Sequence, residues 1–152
     1  MAVVCAGAKA ILDLPRTLEV LETLGVPVVG FGTDRLPAFY SRESPWRVPH
    51  RVDRLEDLAL QVATHLALEP ATGMAIAQPP PRDLSLDFDR VEAWIAAAHA
   101  TAADHGVSGG ADALPSERAL APERSATNVA LLRANARLGA MLAVALSGTR
   151  DG

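Results

Sequence analysis

From its first residues the chain alternates short apolar runs with segments of helical period. Ala2 to Ala6 (AVVCA) is an uninterrupted apolar run with two adjacent β-branched residues, closed by Gly7, and predicts a strand followed by a turn. Pro15 suits the first turn of a helix, where its missing N–H costs nothing. Leu18, Leu21 and Leu24 then recur at helical spacing until Gly25 supplies a stop, predicting a helix of about ten residues. Val26 to Phe31 (VPVVGF) returns to an extended apolar run. The opening therefore reads β-α-β, the order that crossover units of parallel sheets require.

The pattern then breaks. LPAFYSRESPWRVPHRV carries three prolines and holds neither period, so it predicts an irregular, partly packed loop. Asp53 and Glu56 have capping-box spacing, and Leu58, Val62 and Leu66 mark one face of the helix they are expected to start. Gly73 to Ala77 (GMAIA) predicts a further strand. It ends in QPPP, whose prolines forbid both helix continuation and ladder donors. A helix is expected from about Phe88 to His105 and a last one from about Ser125 to Leu146, with Leu131, Ala134, Leu138, Met141 and Ala145 as its apolar stripe. SGGADALPSERALAPE reads as a connector between them.

These elements predict an α/β fold, layered α/β/α around a central mostly parallel or mixed sheet, with residues 1–152 as a single domain. A sheet of three or so strands is narrow for this class. The expectation is therefore an incomplete half of a larger fold, with strand partners supplied from elsewhere.

Composition narrows the function. The chain is 49% hydrophobic with a formal net charge of -4, and its arginines are scattered among carboxylates, which argues against a nucleic-acid binder. No stretch is read as approaching the roughly 20 apolar residues of a membrane span, and no basic-then-apolar leader precedes the first strand. With a single cysteine, the expected location is cytoplasmic.

Of the 14 basic residues only Lys9 is a lysine. Lysine does covalent chemistry when its amine is neutral, a state that burial among apolar groups favours, and the free amine then attacks a carbonyl to form a Schiff base. Lys9 follows a strand at the end that faces the crevice in open α/β sheets, beside small residues that leave room for a substrate. The residues alone leave two readings, a stray surface lysine in an arginine-rich chain or a nucleophile. Cys5 lacks an activating base and reads as a core thiol. His50, His65, His99 and His105 have no HxH or HExxH spacing, so a protein-only zinc site is not expected. Gly30-Phe31-Gly32 is half of a dinucleotide fingerprint without the helix that should follow, and reads as a turn. Asn128 and Asn135 lie seven apart on one face of the last helix, either solvated or placed to orient a sugar or phosphate. Arg133, Arg137, Glu19, Glu22 and Asp57 read as surface charges.

The run VVCAGAKAILDLPRTLEVLETLGVPVVGFGTDRLPAFYSRES resembles the central segment of the pseudouridine-5'-phosphate glycosidases, which are related to indigoidine-synthesis A proteins. The likeness continues through MAIAQPPP and into SATNVALLRANARLGAMLAVAL, and corresponds to the C-terminal half of the family's usual sequence. It implies reversible C–C glycosidic cleavage of pseudouridine 5'-phosphate to uracil and ribose 5-phosphate. The lysine of the Cys-Ala-Gly-x-Lys motif, here Lys9, would be the covalent nucleophile, and Asn128 a substrate-binding residue. The resemblance further implies a manganese ion, Mn(2+), and a trimeric assembly. The general-acid glutamate, the phosphate-binding lysine and the manganese-binding aspartate it implies all precede that motif, and Met1 stands only eight residues before Lys9. The metal ligand is thus not expected in this chain. Gln78 stands where the family has asparagine, and GGADALPSERALAPERS replaces its Thr-Pro-Phe-Leu-Leu motif. Two functional expectations follow: the nucleophile half of a glycosidase that another chain completes as a homo-oligomer or complementing half, or a non-catalytic remnant serving as an assembly or ligand-binding module.

Overall fold

The computed structural model describes residues 1–9, 12–68, 72–104 and 121–148. Its elements run β1 (Ala2–Cys5), α1 (Leu14–Thr23), β2 (Val28–Phe31), β3 (His50–Val52), α2 (Leu55–Ala67), β4 (Met74–Ala77), a 3-10 turn (Arg82–Leu84), α3 (Phe88–Asp104) and α4 (Ala121–Gly148). Most of the predicted connector and His105 lie outside the described residues.

Four strands form one sheet in the order β1-β4-β2-β3, and every pair is parallel. The expected α/β/α layering holds. On one face Leu138 and Leu142 of α4 and Leu58, Ala59 and Val62 of α2 pack on Val29, Met74 and Ile76. On the other, Leu14 of α1 packs with Val28, Ala77 and the loop residues Leu36, Ala38 and Val48.

Local chemistry explains the element ends. Asp13 caps α1, its carboxylate accepting from the Arg16 N–H at 3.0 Å, and Pro15 sits in the first turn as expected. Gly25 ends the helix with φ +67°, where its N–H donates to Glu22 O and that of Val26 to Leu21 O. These paired bonds make a Schellman stop, which satisfies carbonyls the helix would otherwise orphan.

Four expectations need correction. His50–Val52, read as loop, is the edge strand β3: three residues, two of them exposed, show no apolar run to betray them. Asp53 does not cap α2; Arg54 occupies that position without a side-chain bond, because the Asp53 carboxylate is held by Arg51 at 2.8 and 2.9 Å. The buried line of α4 is Leu131, Leu138 and Leu142, whereas Met141, assigned to the stripe, is exposed. Finally, Ser125–Gly148 is long and apolar enough to cross a membrane by length and composition, although no such stretch was expected. In this fold its buried leucines face the sheet, while Val129, Leu132 and Val144 are exposed.

Candidate functional site

The carboxyl ends of parallel strands converge on one edge of the sheet, where open α/β folds place their crevice. Here that edge is built by Cys5 to Lys9 after β1, Gln78 after β4, and the segment from Gly32 to Val48 after β2. The last segment folds over the first. The Phe39 N–H donates to Ala6 O at 2.9 Å, and Gly7, at φ +81°, lies so close to Pro37 that any Cβ would strike its carbonyl oxygen. A glycine is therefore required two residues before Lys9.

Lys9 sits in the loop beyond β1, and its carbonyl accepts from the Leu12 N–H at 2.9 Å. It is exposed, and not buried among apolar groups as Schiff-base chemistry would favour. Cys5 is a free, half-buried thiol facing an apolar groove, so it is less enclosed than a core residue.

Beside the Lys9 loop, the Gln78 N–H donates to Cys5 O at 2.8 Å and ties the two strand ends together. Its side-chain Oε1 is buried without a partner. Gln78 lines a cavity of about 600 Å³ with Phe31, Pro81, Arg133, Arg137 and Met141. The two arginines are exposed, as expected, but stand at the mouth of this cavity. Asn128 and Asn135 do not line it. Each nevertheless has a buried Oδ1 with no hydrogen-bond partner, which excludes the solvated reading for both. Thr127 fixes their helix, its buried hydroxyl donating to Leu84 O at 2.7 Å.

Two buried hydroxyls without partners, Ser41 Oγ and Ser44 Oγ, lie in the segment read as loop; the sequence reading gives them no role, although they close the run that carries the family resemblance. Arg42 between them donates to Pro80 O, and its pKa is lowered by burial and then by the neighbouring Arg82. At the far strand ends Arg51 pairs with Asp53 and, at 3.8 Å, with Asp34. Asp53 raises the Arg51 pKa through hydrogen bond and charge. Gly30 and Phe31, read as part of a turn, are instead the last residues of β2, and only Gly32 turns, at φ +68°. Among the described residues no three His, Cys, Asp or Glu side chains group to hold a metal ion, so these residues do not fit the implied manganese.

Comparison with known proteins places this geometry. Residues 1–145 match the family model described as indigoidine synthase A like protein. A pseudouridine-5'-phosphate glycosidase of Gemmatimonas aurantiaca is 48% identical over 149 residues, covering 95% of this chain and 48% of the relative. That of Methylobacterium nodulans is 49% identical over 155 residues, covering 99% and 46%. The prealnumycin C-glycosynthase AlnA, solved in complex with ribulose 5-phosphate, superposes with a TM-score of 0.89 at 35% identity, over 99% of this chain and 51% of its own. An indigoidine synthase A-like protein of Thermotoga maritima gives 0.74 at 26% identity, over 96% and 49%. The chain thus spans about half the length of the curated relatives it matches. Sheet, helices and sequence agree on one assignment: the chain belongs to the indigoidine synthase A-like family.

Proposed function

We propose that this chain is the lysine-bearing half of a pseudouridine-5'-phosphate glycosidase. The observation that carries the reading is Lys9 itself, held at the carboxyl edge of a parallel sheet by a turn that only glycine can make, in a chain nearly half identical to enzymes of that name.

Cleaving a C–C glycosidic bond requires an electron sink at C1 of the sugar, because uracil bound through carbon is a poor leaving group. A pair of carboxylates stabilises an oxocarbenium ion; an amine does more. The Lys9 nitrogen attacks C1 as the bond from C1 to the ring oxygen breaks, and the proton the nitrogen gives up balances the one the ring oxygen takes; the freed lone pair then forms the iminium while the electrons of the C–C bond pass to a uracil protonated at carbon. Water releases ribose 5-phosphate and restores the amine, and the reverse sequence adds uracil. The proton donor lies outside the described residues, as does any manganese site, so no step is routed through a metal. Asn128, whose Oδ1 has no partner in this half, is the amide assigned to substrate. The exposure of Lys9 supports a site whose second wall is contributed by another half, in the homo-oligomer or complementing assembly proposed for this chain.

Borohydride trapping with ribose 5-phosphate, followed by mass analysis of the peptide containing Lys9, tests this. A reduced sugar adduct on Lys9 is expected, and Lys9→Ala should abolish it. Equal trapping by Lys9→Ala would sink the assignment.

A further inference from the structure

The tight turn from Ala38 to Ser41 carries a residue that its backbone does not favour. Ala38 and Ser41 face each other as an antiparallel bridge, with the Ala38 N–H donating to Ser41 O at 3.0 Å, and Phe39 and Tyr40 stand between them. Phe39 has φ +62°, and among the described residues no other non-glycine residue, Tyr40 included, has a positive φ. Positive then negative is the sign pattern of a type II′ turn, whose first central position is ordinarily glycine. A side chain as bulky as phenylalanine is strained there.

The backbone gives no reason for the choice. The Phe39 N–H donates to Ala6 O at 2.9 Å, on the loop that leads to Lys9, and a glycine at position 39 would make the same bond without strain. What the chain keeps at this cost is the ring. The ring is not core: Phe39 is half-buried and belongs to neither of the two apolar clusters that pack the faces of the sheet. Its ring meets Tyr40, also half-buried, with 4.9 Å between centroids and 85° between planes. Such an edge-to-face pair covers one ring face and leaves flat aromatic surface over at the carboxyl edge of the sheet. Strain retained for a side chain outside the core is a mark of function.

We propose that Phe39, with Tyr40 set edge-on to it, is a specificity-determining contact for a planar nucleobase, the surface on which uracil lies while Lys9 holds the sugar. The proposal rests on the reading of Lys9 as the glycosidase nucleophile. Connectivity and charge select the base over the sugar phosphate. The base is bonded to C1, the atom that Lys9 attacks, so it lies close to the loop that the Phe39 N–H holds. The face of a benzene ring is negative and repels a phosphate, whereas a flat π-system stacks on it.

The test is uracil binding to the full chain, followed by calorimetry and by the upfield shift of the uracil H5 and H6 resonances that stacking produces. The parent should bind uracil. It should bind 5,6-dihydrouracil, which carries the same carbonyls and N–H groups on a puckered ring, about fivefold more weakly or worse, the lower end of what one base gains by stacking on one aromatic ring. Phe39→Leu keeps an apolar side chain but should weaken uracil binding by the same factor and erase the preference over dihydrouracil, and Phe39→Trp should restore both. Phe39→Gly should lose the binding and yet melt no lower than the parent, because it relieves the strained φ; a packing role would not give that combination. No uracil binding by the parent, a preference for uracil that survives in Phe39→Leu, or a lower melting temperature for Phe39→Gly would overturn the proposal. Binding is read with no sugar and no trapping. A parent that binds uracil through Phe39 but gives no adduct at Lys9 would remove the nucleophile and leave this contact standing, whereas an adduct at Lys9 with uracil binding indifferent to Phe39 would do the reverse.

Discussion

Replacing Gly7 with alanine isolates what holds the Lys9 loop in place. A Cβ at Gly7 would lie 1.8 Å from the Pro37 carbonyl oxygen and 2.9 Å from its carbonyl carbon, and both are backbone atoms that no side-chain rotation can move away. The left-handed conformation by itself costs an L-residue ~1–2 kcal/mol. Relief of the clash must then push apart β1 and residues 37–39, stretching the bond from Phe39 N–H to Ala6 O, for ~1 kcal/mol. Overpacking adds ~1–3 kcal/mol. The expected loss is at least about 3 kcal/mol, which for a domain of this size lowers Tm by roughly 6–12 °C. Gly25→Ala is the internal control. Its φ is +67° but nothing lies within 4 Å of the added Cβ, so it should pay the conformational cost alone, ~1–2 kcal/mol. Urea denaturation followed by circular dichroism measures both. If Gly7→Ala and Gly25→Ala destabilise equally, the contact with Pro37 does not constrain the loop and the argument fails.

Thr127→Val should cost about 1–3 kcal/mol, because it leaves Leu84 O without the buried hydroxyl that now donates to it; a variant as stable as the parent would show that the bond does not anchor α4. Glu56 lies in the first turn of α2, and a backbone hydrogen bond, followed by the charge of Arg54, holds its carboxyl below the ordinary glutamate value of 4.5. A depressed folded pKa stabilises the protein above the unfolded value and is lost as pH falls through the folded one. Glu56→Gln should therefore be slightly less stable than the parent at pH 7 and match it under acid conditions; a gap that persists below pH ~3 would contradict that origin.

The elements read correctly from sequence are those whose cause is local. VVGF and MAIA are apolar runs in the interior strands of a parallel sheet and AVVC an apolar run at its edge, and Asp13 and Gly25 bound α1 through bonds to residues within five positions. Failures begin where another side chain or another strand competes with the local pattern. Asp53 has the spacing of a cap but is captured by Arg51, and His50–Val52 becomes a strand because β2 offers it an edge. The site divides the same way. Lys9 is conspicuous as the only lysine and as part of a motif, and Asn128 and Asn135 show their shared face by spacing. Their unpartnered amides, the buried hydroxyls of Ser41 and Ser44, and the demand for glycine at position 7 depend on partners up to thirty residues away or on chain outside this half.

The strand order also has a consequence in time. Among the described residues β1 pairs with β4, in the register Ala2 to Met74, so that hydrogen-bonded neighbour is 72 residues downstream (74 − 2). At synthesis rates of ~5–20 residues per second, β1 emerges ~4–14 s before that neighbour exists. For that interval the β4-facing edge of β1 is unpaired, and non-local parallel pairing of this kind is slow to form even once β4 is made. A nascent chain that begins to collapse around α1 and β2 must keep a sticky strand idle until the middle of the sheet arrives to receive it.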